Sequence, residues 1–223
     1  MTHTPDPGTA PTTADVEARL RAAGPAAAAR PRVPTRAADG ADVGFAVVGT
    51  DLGRVLLAAG PDDALLACSF VPDDDAVERA LRRLAGAVSP RVVEAPGRTA
   101  AAADQLAEYL AGDRRAFDVP VDLALATPFQ RTVLGHLAGV GFGDRTTYGA
   151  LARGLGRPTA SRAVGAALGA NPVCVVLPCH RVVASSGALT GYAGGLEAKR
   201  RLLDLESARG DFHSSTDSGA ANG

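Results

Sequence analysis

The 223-residue chain contains no tryptophan, and aromatic residues make up only 4% of it. Lysine is nearly missing as well: Lys199 stands alone against 22 arginines. That bias reads as a coding preference, so arginine abundance by itself points to no function. The three cysteines, Cys68, Cys174 and Cys179, form no CxxC pair and are too few for a secreted disulfide framework. The four histidines have no ligand spacing, which argues against a structural zinc. The longest uncharged run, residues 163–179, is broken by Asn171, Pro172 and Pro178, so no membrane-spanning helix is expected. The first ten residues are polar and Pro-rich, unlike a signal peptide. The expectation is a reduced, cytoplasmic protein with no metal or cofactor.

Apolar residues make up 46% and charged residues 21%, enough to bury a real core. The net charge of −1 hides an asymmetry. Residues 1–121 carry 13 basic and 17 acidic side chains, whereas residues 122–209 carry 10 basic and 5 acidic. A basic C-terminal half behind an acidic N-terminal half fits an anionic partner, though surface variation alone can also produce it.

The pattern predicts four segments. Residues 1–42 are rich in Pro, Ala, Thr and Gly and are expected to be a disordered tail, with a short helix conceivable at 15–23. Residues 43–121 contain three short β-like runs (44–48, 53–59 and 64–70) joined by turns, which reads as an antiparallel three-stranded meander. Helices are predicted at 74–87 and 100–110, the second with Leu106, Tyr109 and Leu110 on one side. Residues 122–209 read as mostly helical, and residues 210–223 as a second tail. Thr127-Pro128 starts a helix to about residue 137, with Phe129, Val133, Leu134 and Leu137 as its apolar stripe. Thr147 caps a short helix over 148–155, and Thr159 is expected to cap another over 160–168. Two helices around a Gly-containing turn follow helix-turn-helix grammar. The second is lined by Ser161, Ala163, Gly165, Ala166 and Gly169, with Arg162 its only charged side chain. Each Gly there lowers helix stability by about 1 kcal/mol relative to Ala. A smooth helix with one arginine suits a nucleic-acid groove, although a solvated Arg is the commoner fate.

The segment Val173-Cys174-Val175-Val176-Leu177 reads as a buried strand that runs into Pro178-Cys179-His180-Arg181 and then Val182-Val183. Cys68 and Cys174 sit inside apolar runs and read as small core residues. Cys179 is followed directly by a basic pair, and imidazole and guanidinium nearby favour the nucleophilic thiolate.

Pro178-Cys179-His180-Arg181-Val182 resembles the signature of the O6-alkylguanine-DNA alkyltransferases, the methylated-DNA–protein-cysteine methyltransferases. The resemblance extends through Gly169-Ala170-Asn171-Pro172, Ser185-Ser186-Gly187 and Gly191-Tyr192-Ala193-Gly194-Gly195-Leu196. Thr147-Tyr148, Ser161-Arg162-Ala163-Val164-Gly165, Phe129-Gln130 and Thr50-Asp51-Leu52-Gly53 fit too, so it spans about residues 43–207. It implies an α+β fold: a small ribonuclease-H-like N-terminal sheet with helices, then a helical domain bearing a helix-turn-helix. It also implies irreversible, single-turnover transfer of an alkyl group from guanine O6 in DNA to Cys179, a direct-reversal repair. O4-alkylthymine activity and adduct size stay open.

The resemblance assigns roles residue by residue. Glu206 orients His180, which activates Cys179 through a water, and Asn171 braces the active-site turn. Tyr148 donates toward the departing guanine. Arg162 takes the place of a flipped base, with Thr159, Ser161, Ala163 and Gly165 at the minor groove of double-stranded DNA. Tyr192, Ala193, Gly194, Pro178 and Val182 wall the alkyl pocket. A monomer suffices for this reading. Two departures stand out: Gly135 where relatives often carry an aromatic, and Cys174 where some carry Pro. The N-terminal extension lacks the zinc-binding cysteines of the fused adaptive-response regulator. Three other readings compete: a lesion binder without transfer, which lacks the acceptor cysteine; a cysteine hydrolase, for which no further motif is visible; and a plain helix-turn-helix regulator, which has no need of the Cys179 turn.

Overall fold

The computed structural model of the chain describes residues 43–210. The tails at 1–42 and 211–223, and the helix expected at 15–23, lie outside the described residues. Gly210, expected to begin the second tail, closes the last helix instead.

The N-terminal unit is built on a sheet of β1 (Val43–Thr50), β2 (Gly53–Ala59), β3 (Leu65–Phe70) and β4 (Val92–Glu94), in the order β3-β2-β1-β4. The three expected runs pair antiparallel, and Asp51-Leu52 make the tight turn between β1 and β2. Gly53 leaves that turn at φ +110, a conformation side chains resist. The sheet is not three-stranded, however. Val92–Glu94 adds a fourth strand, parallel to β1, with Val43 opposite Val92. Three residues are too few to show a period-two pattern.

β2 is buried on both faces, which is why Val55 to Ala59 is continuously apolar. Leu56 and Ala58 face α1 (Asp74–Ala87), which Asp73 caps through Ala76 N at 2.7 Å. Val55 and Leu57 face the larger core with Leu106 and Tyr109 of α2 (Pro96–Ala111). α2 starts four residues earlier than expected because Pro96 serves as its first-turn residue.

The same core continues into α3 (Pro128–Leu137), α4 (Tyr148–Gly154) and α5 (Ser161–Gly169), through Val133, Leu134, Leu137, Leu151, Val164 and Leu168. Thr127 and Gln130 form a reciprocal capping box at the start of α3. Thr147 caps α4 through Ala150 N at 3.1 Å. Thr159 does not cap α5: Ala160 occupies that position, with no side-chain bond, and Thr159 is exposed. Gly135 is exposed, and a side chain there would meet open space, so it leaves no packing defect. α6 (Gly195–Gly210) ends the described chain, and β5 (Thr146–Thr147) pairs parallel with β6 (Val182–Val183).

The expected strand at 173–177 is a turn. Val173 makes a single bridge to Cys68, and Cys174 bridges Leu177 within the segment itself. Val176 N then donates to Cys174 O at 2.8 Å, and Leu177 N to Val173 O at 3.0 Å. Val175 sits between them at φ +69, a costly conformation for a β-branched residue. Its apolar sequence reflects burial, not extension.

Candidate active site

The turn that carries Cys179 is pinned to the N-terminal sheet. Cys68 N donates to Pro172 O, and Cys174 N donates to Cys68 O, both at 2.8 Å. Asn171 then ties the turn together from within. Its Oδ1 accepts from Val173 N at 3.0 Å, while its Nδ2 donates to Leu177 O at 3.0 Å and reaches Cys179 Sγ at 3.3 Å. A second tight bend, Cys179 N to Leu177 O at 2.8 Å, delivers Cys179 into a 3₁₀ turn, Cys179–Arg181. Asn171 thus makes three contacts within the turn.

Cys179 is 7% exposed. Its thiol pKa is nonetheless held below the ordinary value, first by a hydrogen-bonding interaction with the Cys174 thiol. Burial opposes this, while the Asn171 amide and the Lys199 ammonium add to it. The Cys174 thiol is pushed up correspondingly by the same interaction and by burial. The Arg181 guanidinium, expected to favour the thiolate, turns instead to Glu206. Lys199 supplies the cationic influence.

His180 (0% exposed) and Glu206 (1%) meet at 2.6 Å, Nε2 to Oε1. Glu206 also accepts from the Tyr109 hydroxyl, from Gly143 N at 3.0 Å, and from Arg181 Nε at 3.2 and 3.0 Å. Arg181 Nη1 donates onward to Val140 O at 2.5 Å. Burial alone raises the Glu206 pKa, but His180 and Arg181 outweigh it and bring the carboxyl down to about 2. An ionised carboxylate only accepts, so the His180 proton sits on Nε2. Nδ1 is then the basic nitrogen, and it is buried without a protein partner. Burial lowers the His180 pKa against the pull of Glu206, which keeps the ring neutral near pH 7.

Cys179 opens onto a cleft of about 620 Å³. Tyr148, Ser161, Arg162, Gly165, Tyr192 and Ala193 line it, with Leu168, Ala184 and Thr190. The Tyr148 hydroxyl is 2.9 Å from Thr190 Oγ1. Arg162 is exposed and makes no hydrogen bond or ion pair among the described residues. Other expected residues fall outside the cleft lining. Thr159 and Ala163 are exposed but not part of it, and Pro178 and Val182 are buried behind Cys179. Gly194 faces the N-terminal sheet, where a Cβ would come 2.8 Å from the Phe70 ring. That ring also packs edge-on against Tyr192 at 5.6 Å, so Gly194 serves the fit of the wall to β3.

Sequence reasoning missed Tyr109 and Lys199 as members of the site. Lys199, 0% exposed, donates to Val182 O at 2.6 Å and Thr190 O at 2.8 Å, tying β6 behind Cys179 to Thr190 of the cleft wall. A signal existed: it is the sole lysine in a chain that uses arginine elsewhere. Tyr109 gave none, being an ordinary apolar-face residue of α2. Among the described residues no cluster of His, Cys, Asp and Glu could hold a metal, and no helix is long and apolar enough to cross a membrane.

A polarised sulfur under a cleft, backed by a neutral imidazole and a fixed carboxylate, defines a protein that reacts through its own thiol. The comparisons agree. A family model described as the DNA-binding domain of 6-O-methylguanine DNA methyltransferase matches residues 128–208. The methylated-DNA–protein-cysteine methyltransferase of Mycobacterium tuberculosis is 47% identical over 114 residues, 51% of this chain and 68% of that protein. Its counterpart from Methanosarcina acetivorans is 37% identical over 162 residues, 73% of this chain and 97% of that protein. The solved Mycobacterium tuberculosis OGT in complex with DNA superposes with a TM-score of 0.63 at 34% identity, covering 74% of this chain and 94% of that one. The chain belongs to the methylated-DNA–protein-cysteine methyltransferase family.

Proposed function

We propose that this chain repairs alkylated DNA by moving the alkyl group from guanine O6 to Cys179, once per molecule. The observation that carries the reading is Cys179 at the edge of the cleft, beside Tyr148 and Arg162, with Asn171 Nδ2 3.3 Å from its sulfur. The Cys179 thiolate attacks the alkyl carbon in line, the carbon–oxygen bond breaks, and a thioether forms. His180 Nδ1 takes the thiol proton through a water, and Glu206 holds the ring in the tautomer that leaves Nδ1 basic. Tyr148, positioned by Thr190, donates a proton to the guanine as negative charge develops on it. A thioether has no good leaving group, so no second turnover follows.

Access requires the base to leave the stack, which costs a few kcal/mol. α4 and α5 act as a helix-turn-helix in the minor groove, where sequence readout is degenerate, and Arg162 fills the place of the flipped base. The small, exposed α5 residues Ala163 and Ala166 support close approach to a groove wall. In this reading residues 43–121 form a ribonuclease-H-like unit and residues 122–209 the DNA-binding unit. The protein acts as a cytoplasmic monomer, and its three free cysteines fit that compartment.

The test is intact-protein mass after incubation with a duplex carrying one O6-methylguanine, followed by peptide mapping. One methyl on the Cys179 peptide, with no more than one event per chain, is expected. Tight lesion binding with no added mass would leave a lesion binder instead.

A further inference from the structure

Cys174 belongs to no step of the alkyl transfer, yet its thiol is held by the same residue that contacts the Cys179 sulfur. The two sulfurs share one neighbour. Asn171 Nδ2 lies 3.3 Å from Cys179 Sγ, and the Asn171 backbone oxygen accepts from Cys174 Sγ at 3.5 Å. The chain between them folds back on itself, through Leu177 N to Val173 O at 3.0 Å and a bridge between Cys174 and Leu177. Cys179 borders the cleft, while Cys174 is buried behind it. One sulfur is reachable from solvent and its neighbour is not, which is the arrangement of a peroxide-sensing cysteine and its resolving partner.

We propose that Cys174 is a resolving thiol for Cys179, so that a hydroperoxide entering the cleft converts the pair to an internal, reversible disulfide. The Cys179 thiolate attacks the peroxide oxygen and the O–O bond breaks. Cys179 becomes a sulfenic acid, and water leaves when the oxidant is hydrogen peroxide. The Cys174 sulfur then attacks the sulfenic sulfur, the S–O bond breaks, and a second water leaves with the thiol proton. Two electrons pass from the two thiols to the peroxide. The disulfide stops Cys179 short of sulfinic acid, from which ordinary thiols do not recover it.

The proposal rests on Cys179 being the reactive thiol of the cleft, but its readout needs no alkylated DNA. The full chain is treated with hydrogen peroxide, free thiols are blocked, and masses and peptides are mapped before and after dithiothreitol. In the wild type a Cys174–Cys179 disulfide is expected, and free Cys179 returns on reduction. In Cys174→Ser, and in Cys174→Ala as a second variant, Cys179 is expected to reach sulfinic acid. The recoverable fraction should then fall by about tenfold or more. A wild type that runs to sulfinic acid as the variants do overturns the proposal, and so does a disulfide mapped to Cys68. Alkyl transfer that fails while the disulfide forms would count against the repair reading alone.

Discussion

Glu206 and Cys179 flank His180 and are held in opposite ways. Glu206 accepts from four different residues and is closed to solvent. Cys179 has the Asn171 amide at 3.3 Å and the Cys174 thiol, borders a cleft, and ends a turn that keeps Val175 at φ +69. The carboxylate must keep one charge and one geometry throughout a reaction, so every lone-pair direction is occupied. The sulfur must accept a new bond, so one side of it is left open. Strain of order 1–3 kcal/mol at a residue such as Val175 persists only where surrounding contacts over-determine the turn. The two bonds to Cys68 and the Asn171 brace do that here.

The largest effect should come from the open end. Cys179→Ala is expected to abolish alkyl transfer to below detection by intact mass, while gel-shift titration shows duplex binding within a few-fold of wild type. Residual transfer would move the acceptor elsewhere and end the contrast. At the closed end, Glu206→Gln leaves Arg181 buried without its counter-charge. A stability loss of about 3–5 kcal/mol is expected in denaturant titration. A loss under about 1 kcal/mol would mean that the carboxylate is not the anchor.

Acid offers a graded version of the same test. Both His180 and Glu206 have pKa values depressed by folding, so each contributes stability above its unfolded value that is lost as pH falls. Stability should therefore decline first below about pH 6.5, through His180, and again from about 4.5 toward about 2, through Glu206. His180→Gln should remove the first decline and keep the second. Gly194→Ala, which drives a methyl against Phe70, should cost about 1–3 kcal/mol and slow transfer by displacing the Tyr192 wall. Arg162→Ala should be the mildest for the fold, within about 0.5 kcal/mol. It should slow repair of duplex more than reaction with free alkylguanine, and equal slowing would remove Arg162 from base displacement.

The open end was legible in the sequence and the closed end only in part. A Cys between Pro and a basic pair is a local signal, and so are the capping residues Thr127 and Thr147. Glu206, on residue patterning alone, is an ordinary helix carboxylate; resemblance singled it out. Tyr109 could not be found, because its bond to Glu206 joins residues 97 apart in the chain. The 173–177 segment was misread because apolar composition reports burial without reporting conformation. Arg181 was assigned to the wrong neighbour for a related reason. Adjacency along the chain does not say which way a long side chain turns, and the buried carboxylate drew it away from the sulfur.

The Lys199 clasp has a practical consequence. A lysine-specific protease finds one cleavage site in these 223 residues, and that site is sealed. Cutting there requires Nζ to leave Val182 O and Thr190 O together, so the wall of the cleft must come apart before the chain is cut. When reclosing outpaces cutting, the rate of that single cut reports the free energy of opening at the site itself.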